Sequence, residues 1–229
     1  MPVFLLNDRL FFPNPEMANE NGLLAVGGDL TIDRLILAYK HGIFPWYGPG
    51  DPICWWSPDP RLILKPLELH ISKRLKRTMR QRPFSLTMDH AFEEVIKSCA
   101  ETRLERGEST WLTPEMQNAY IALHHGGYAH SAEAWRHDKL AGGLYGVALG
   151  RVFFGESMFS RESDASKIAF VTLVRKLAQW DFFMIDCQMT TQHLVKFGAC
   201  EISRKSFISK LHEFTAIPSR APADKWSGF

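Results

Sequence analysis

The sequence has no long apolar run, few cysteines and almost no net charge, and each shortage excludes a class of protein. No stretch of about twenty apolar residues occurs, so no membrane-spanning helix is predicted. The formal net charge is +2, too small to indicate nucleic-acid binding unless the basic residues are clustered. The four cysteines form no CxxC pair and have no histidine at zinc-finger spacing, so we expect free thiols and no metal site.

The amino terminus lacks a basic segment before its short apolar run, so it does not resemble a secretory signal. Together with free thiols, this predicts a cytoplasmic protein. The composition, 45% hydrophobic and 12% aromatic, is that of an ordinary folded protein. A chain of 229 residues can form one large core or two unequal domains.

Two acidic residues follow apolar, strand-like runs on either side of a predicted helix, residues 165–180. Glu156 follows one run and Asp186 ends the other. A strand, helix and strand in this order predict a crossover unit with parallel strands, so both carboxylates should leave the same sheet edge, where α/β sheets bind ligands. Either acid alone is better explained as a strand cap or an ion-pair partner. Both acids together with Gln188 favour a functional site.

The remaining patterns predict a mixed α/β chain with Thr31, Ser72 and Thr113 as helix N-caps. A short strand, a helix and a Pro-rich segment predict a first domain that ends near residue 60. The segments predicted beyond it are a strand at 61–65, a helix after 72, a helix that starts at Asp89, a polar loop at 101–109, a helix from 113, a three-stranded meander at 128–156, the crossover unit, two helices at 191–197 and 203–214, and a loosely attached tail at 215–229.

Residues 43–60 combine five prolines with three tryptophans and a tyrosine. The prolines exclude regular structure over most of this segment. Two interpretations of the aromatic residues are weighted equally and are compatible. They either pack a domain boundary or form a stacking platform for a flat ligand such as a nucleic-acid base.

Residues 73–82 contain six basic residues and no acidic residue. Surface helices usually mix the two signs of charge, so this composition favours contact with a polyanion over a chance accumulation of charge. The residues predicted to contact phosphates are Lys73, Arg74, Lys76, Arg77 and Arg80.

Several familiar catalytic patterns fail on inspection. The sequence after Gly155 lacks the final glycine of the G-x-S-x-G elbow, so Ser157 is not expected to be a nucleophile. Cys187 stands beside a carboxylate that should raise its pKa. The meander and crossover helix are similar to acyltransferases that use coenzyme A, but residues 160–167 contain no glycine to approach a pyrophosphate. An aminoacyl-tRNA fits better, because it offers a base, phosphates and an acyl group.

Five stretches closely resemble the leucyl/phenylalanyl-tRNA–protein transferases: NGLLAVGGDL (21–30), GIFPW (42–46), WWSPDPR (55–61), GESMFS (155–160) and IDCQ (185–188). The resemblance covers nearly the whole chain. It implies an α+β (mixed α/β) fold with a small N-terminal α/β domain, residues 1–60, and a larger GNAT-like (acyl-CoA N-acyltransferase-like) domain, residues 61–229.

The resemblance also implies the activity. Such an enzyme moves Leu, Phe or Met from aminoacyl-tRNA to the N-terminal Arg or Lys of an acceptor protein, which then enters N-terminal-rule degradation. We expect a monomer without metal or cofactor. The implied residues are Trp46 and Trp111 around the terminal adenosine, Leu144, Phe153, Met158 and Phe170 around the aminoacyl side chain, Tyr120 as a further substrate contact, Glu156 at the acceptor's cationic end, and Asp186 and Gln188 as catalytic residues.

The implied mechanism is direct aminolysis of the ester, with Asp186 orienting and polarising Gln188. Whether Asp186 or the ribose 2′-hydroxyl takes the proton stays open at this point. Two other functions remain as alternatives: a non-catalytic tRNA- or peptide-binding module and a small-molecule acyltransferase that uses coenzyme A.

Overall fold

The computed structural model describes residues 3–227, which form a mixed α/β architecture. The strands are β1 (Phe4–Leu6), β2 (Leu23–Gly27), β3 (Phe44–Pro45), β4 (Cys54–Trp56), β5 (Arg61–Leu64), β6 (Ser85–Met88), β7 (Ala129–Arg136), β8 (Lys139–Leu149), β9 (Val152–Ser160), β10 (Met184–Gln188) and β11 (Cys200–Ile202). The helices are α1 (Ile32–Lys40), α2 (Lys73–Arg80), α3 (Phe92–Glu105), α4 (Pro114–His125), α5 (Ala165–Gln179), α6 (Gln192–Val195) and α7 (Arg204–Thr215).

The strands form two separate mixed sheets. The small sheet has the order β1-β2-β4-β3, and the large sheet has the order β11-β5-β10-β9-β8-β7-β6. One buried cluster joins α1 and the small sheet to one group of large-sheet residues, where Tyr39 packs on Phe154 at a centroid distance of 4.8 Å. A second cluster contains α5 and a different group of large-sheet residues. The large sheet is therefore the layer on which the rest of the chain packs.

The crossover unit is confirmed, because β9 and β10 are parallel and α5 connects them. Their paired register runs from Val152–Met184 to Phe154–Asp186 and then stops. Past that point β9 continues along β8 as far as Ser160, whereas β10 continues along β5. Glu156 therefore lies inside its strand, whereas the sequence predicts it at the end of the strand. The two strands part beside it.

The predicted helix starts are confirmed at three positions. The side-chain oxygens of Thr31, Ser72 and Thr113 each accept a hydrogen bond from a backbone N–H in the first turn of α1, α2 and α4. This satisfies one of the N–H groups that a helix start leaves without an intrahelical partner. Local sequence is sufficient here because cap and helix are neighbours in the chain.

The prediction that a helix begins at Asp89 is wrong. Asp89 is buried in the left-handed region at φ 50°, and α3 begins at Phe92. Its carboxylate instead accepts hydrogen bonds from the backbone N–H groups of Ser131, at 2.8 Å, and Trp226, at 2.7 Å. The polar loop predicted at 101–109 is also too long, because α3 continues to Glu105.

The tail is not loosely attached over its described part. Trp226 is only 1% exposed, and its ring stacks on His130 with centroids 3.7 Å apart. Residues 228–229, which belong to the predicted tail, and residues 1–2, which belong to the segment tested for a signal, lie outside the described residues. No helix within residues 3–227 is both long and apolar enough to cross a bilayer.

Candidate active site

A cleft of about 750 Å³ lies where β9 and β10 part, and both sheets contribute to its walls. Most of its lining is apolar or aromatic, as is usual for small-molecule sites. The sequence-predicted residues that line it are Trp46, Trp111, Leu144, Phe153, Glu156, Met158, Phe170 and Gln188.

Glu156 is the acceptor of three side-chain hydrogen bonds at the floor of the cleft. Its Oε1 accepts from the hydroxyl of Tyr39, at 2.8 Å, and from Nε2 of Gln188, at 3.0 Å. Its Oε2 accepts from the hydroxyl of Tyr120 at 2.8 Å. Burial raises the pKa of Glu156 to about 7, although the two tyrosine hydrogen bonds act in the opposite direction.

This network fixes the orientation of the Gln188 amide. Because the amide nitrogen donates to Glu156, the carbonyl oxygen Oε1 faces away from it. Among the described residues, no group donates a hydrogen bond to this oxygen, and Gln188 lines the cleft. The site thus offers a free carbonyl acceptor at a defined position.

Asp186 lies behind Gln188 and does not line the cleft. It is 0% exposed and forms a two-pronged ion pair with Arg61, whose Nε and Nη2 lie 2.8 Å and 2.7 Å from the two carboxylate oxygens. Oδ1 of Asp186 also accepts the backbone N–H of Gln188 at 2.9 Å. That bond holds Gln188 in the left-handed region at φ 60°, which is uncommon for a residue other than glycine.

The aromatic walls come from different parts of the chain. Trp46 is 41% exposed, and its backbone carbonyl accepts the indole N–H of Trp56 at 2.6 Å. Trp111 lies two residues before Thr113, the N-cap of α4, and packs edge-on against Tyr120 with ring centroids 6.3 Å apart. Tyr120, predicted as a substrate contact, is 0% exposed and does not line the cleft. Its buried hydroxyl instead supports Glu156 from behind.

Cys187 also lines the cleft, between the two predicted catalytic residues. Burial, and to a lesser degree the charge of Asp186, raises the pKa of its thiol. The thiol is therefore protonated near neutral pH and is a poor nucleophile.

Helix α2 presents an exposed cationic surface outside the cleft. Leu75 is buried and anchors the helix, whereas the five predicted phosphate contacts are exposed. Arg74 has an acidic neighbour, Asp164, at 3.7 Å. Within the part of the chain that the structure describes, the other four have no ion pair. They are Lys73, Lys76, Arg77 and Arg80.

Comparison with known proteins identifies the family of the chain. Residues 63–212 match the family described as leucyl/phenylalanyl-tRNA protein transferase, and residues 28–59 match the N-terminal domain of that family. The chain belongs to this transferase family. It is 56% identical over 228 residues to the leucyl/phenylalanyl-tRNA–protein transferase of Syntrophobacter fumaroxidans. The alignment covers 100% of this chain and 97% of the relative.

Another member of the leucyl/phenylalanyl-tRNA protein transferase family, from Desulforapulum autotrophicum, is 54% identical and covers 93% of each chain. The likeness to a solved structure, L-PGS from Bacillus licheniformis, is weak. It has a TM-score of 0.44 at 9% identity, over 84% of this chain and 71% of that chain, and supports no conclusion.

For this member of the transferase family, sequence reasoning missed two residues that hold the site together. The sequence predicts Arg61 in a strand, and a cation inside an apolar strand needs a buried anionic partner, which is a usable signal. Helical spacing alone places Tyr39 with Leu35 and Ile36 on the apolar face of α1. Its hydroxyl lies 2.7 Å from that of Tyr120, a contact that no local pattern encodes.

Proposed function

We propose that this protein moves Leu, Phe or Met from aminoacyl-tRNA to the N-terminal Arg or Lys of acceptor proteins and so marks them for N-terminal-rule degradation. The observation that carries the proposal is the cleft itself. It combines two tryptophans, an apolar pocket and the hydrogen-bonded pair of Glu156 and Gln188 in a chain that belongs to the transferase family.

The donor's adenine stacks between Trp46 and Trp111, and the aminoacyl side chain enters the apolar part of the cleft. Stacking on aromatic rings contributes about 1–3 kcal/mol per base. The apolar pocket, lined by Leu144, Phe153, Met158 and Phe170, accepts Leu, Phe and Met, whereas Val and Ile are branched at Cβ and crowd its entrance.

The reaction is direct aminolysis without a covalent enzyme intermediate. The α-amine of the acceptor donates a hydrogen bond to Oε1 of Gln188, which directs its lone pair to the ester carbonyl carbon. A C–N bond forms and the bond from this carbon to the ribose oxygen breaks. The released ribose oxygen takes up the proton that the amine loses and becomes a hydroxyl group. Asp186 is paired with Arg61, so it is a positioning residue that acts through the backbone N–H of Gln188.

The finer description of the fold is also part of the proposal. Residues 61–227, the described part of the predicted second domain, form a GNAT-like domain. This is supported by the parallel pair β9 and β10, which α5 connects and which part beside the cleft. Residues 3–60, the described part of the predicted first domain, form a separate small domain, supported by a four-stranded sheet whose last residue in the chain is Trp56. We place the protein in the cytoplasm as a monomer.

The pH profile of transfer should show the titration of two groups, Glu156 and the α-amine of the acceptor. With the pKa of Glu156 at about 7, the carboxyl is protonated below that pH, so it loses its charge and one acceptor position facing Gln188. The acceptor's amine, with a pKa near 8, must also lose a proton. We expect log kcat/KM to rise with a slope of two below pH 7 and of one between 7 and 8. Glu156→Gln should reduce the lower slope to one, and equal slopes in both proteins would contradict the assignment.

Replacing Lys73, Arg74, Lys76 and Arg77 with Ala should weaken tRNA binding and flatten its salt dependence. Each lost phosphate contact lowers the slope of log K against log salt by about 0.7–0.9. The matched control removes four exposed charges elsewhere, those of Lys40, Lys97, Lys139 and Arg175. Filter binding across a salt series measures both variants, and an unchanged slope in the first would remove α2 from the tRNA footprint.

The proposed function has a direct assay. Purified protein, phenylalanyl-tRNA and a peptide that begins with Arg should yield the peptide extended by Phe, whereas a peptide that begins with Ala should not react. A non-catalytic binding module would bind the tRNA without product. A small-molecule acyltransferase would instead show a thermal shift with coenzyme A.

A further inference from the structure

We propose that Arg103 binds the phosphate that joins the terminal adenosine of the tRNA to the preceding nucleotide. This inference rests on the proposed function, because it assigns a role within the same cleft. It adds a phosphate subsite beside the aromatic walls, in a segment that the sequence marked only as a polar loop.

Arg103 lies in the last turn of α3, and its side chain lines the cleft. Among the described residues that line this cleft, it is the one lysine or arginine. Its acidic neighbour is Glu108, at 3.8 Å, and the two side chains are 43% and 53% exposed. Solvent-exposed pairs at this distance are weak, so the pair with Glu108 leaves the Arg103 guanidinium able to bind an anionic ligand.

Several residues with hydroxyl groups line the same cleft as Arg103. Ser109 and Thr110 line the cleft and directly precede Trp111 in the chain, and Ser157 lines it from β9. The hydroxyl of Tyr145, which also lines the cleft, is buried without a hydrogen-bond partner among the described residues. A guanidinium and hydroxyl groups that line one cleft are donors of the kind that proteins use for phosphate.

The charges of the substrates select the phosphate over other ligands. The acceptor's N-terminal Arg or Lys is cationic and is repelled by Arg103, and the aminoacyl side chain is apolar. The 5′-phosphate of the terminal nucleotide is the one anion that must enter with an adenosine stacked on Trp111. Helix α2 is not part of the cleft lining, so its basic residues serve other phosphates of the tRNA.

The test uses two minimal donors, 3′-O-phenylalanyl-adenosine and the same molecule with a 5′-phosphate. In the wild-type protein we expect the 5′-phosphate to lower KM about tenfold, the range of one partly exposed charge-assisted contact. Arg103→Gln should remove this preference, and Arg103→Lys should retain part of it. The matched control is Arg106→Gln, since Arg106 is exposed just after α3 and does not line the cleft.

Loss of the phosphate preference in Arg103→Gln, with the preference intact in Arg106→Gln, supports the subsite. An intact preference in Arg103→Gln, or an equal rise in KM for both donors, overturns it, because the residue would then act on the shape of the cleft. If neither donor reacts with the wild-type protein, the proposed function fails on its own. Calorimetry with adenosine and adenosine 5′-monophosphate still decides the role of Arg103, since Arg103→Gln should equalise their Kd values.

Discussion

Gln188→Ala should lower kcat for transfer at least a hundredfold while leaving the Kd for aminoacyl-tRNA within about twofold. The carbonyl oxygen of Gln188 is the free acceptor at the floor of the cleft, and its amide is fixed by Glu156 at 3.0 Å. Truncation removes the group that directs the amine but none of the aromatic or apolar walls that bind the donor. The loss should therefore appear in turnover.

The matched control is Gln192→Ala, which removes an exposed glutamine on α6 that does not line the cleft. Its kcat should equal that of the wild-type protein. Single-turnover kinetics and filter binding separate the two effects. A Gln188→Ala variant with full turnover, or one that loses tRNA binding as strongly as turnover, would remove Gln188 from the reaction.

Arg61→Met should destabilise the protein by about 3–5 kcal/mol, because it leaves the carboxylate of Asp186 buried without its partner. Both side chains are 1% exposed or less, and their contacts are 2.7 Å and 2.8 Å long. Urea unfolding measures the loss. For comparison, Lys65→Met breaks a solvent-exposed pair with Glu68 and should cost less than about 1 kcal/mol. Equal costs for the two variants would contradict the structure.

The double variant Arg61→Met/Asp186→Leu separates stability from catalysis. Replacing both partners of a buried ion pair with apolar groups often restores stability, so unfolding should return close to that of the wild-type protein. Turnover should stay low, because the backbone N–H of Gln188 loses its acceptor and the residue leaves its left-handed conformation. Recovery of turnover together with stability would show that Asp186 has no positioning role.

Local sequence was sufficient to predict a feature wherever its deciding contacts join residues or strands that are close together in the chain. The N-caps Thr31 and Thr113, the crossover unit and the meander all depend on neighbouring residues or on adjacent strands, and their patterns predict them correctly. The prediction of the aromatic and apolar residues of the cleft came from the resemblance to the transferase family. That resemblance rests on motifs whose role cannot be deduced from local hydrophobic patterns.

The remaining features depend on contacts between distant segments, which periodicity does not encode. Arg61 meets Asp186 across 125 residues, and Tyr39 meets Glu156 across 117 residues. The described part of the tail is held through a bond between Trp226 and Asp89 that spans 137 residues. The resemblance implies Tyr120 as a substrate contact, whereas in the structure its hydroxyl binds Glu156 and the residue does not line the cleft. Its helix position was correct, but only the packing of α4 against the sheet shows which side of Glu156 it occupies.

The most direct test is a crystal structure of the protein with a stable amide analogue of 3′-phenylalanyl-adenosine and a peptide that begins with Arg. The adenine should lie between Trp46 and Trp111, and the peptide's α-amine should lie within about 3 Å of Oε1 of Gln188. An adenine bound outside the two tryptophans, or an α-amine directed away from Gln188, would contradict the proposed reaction.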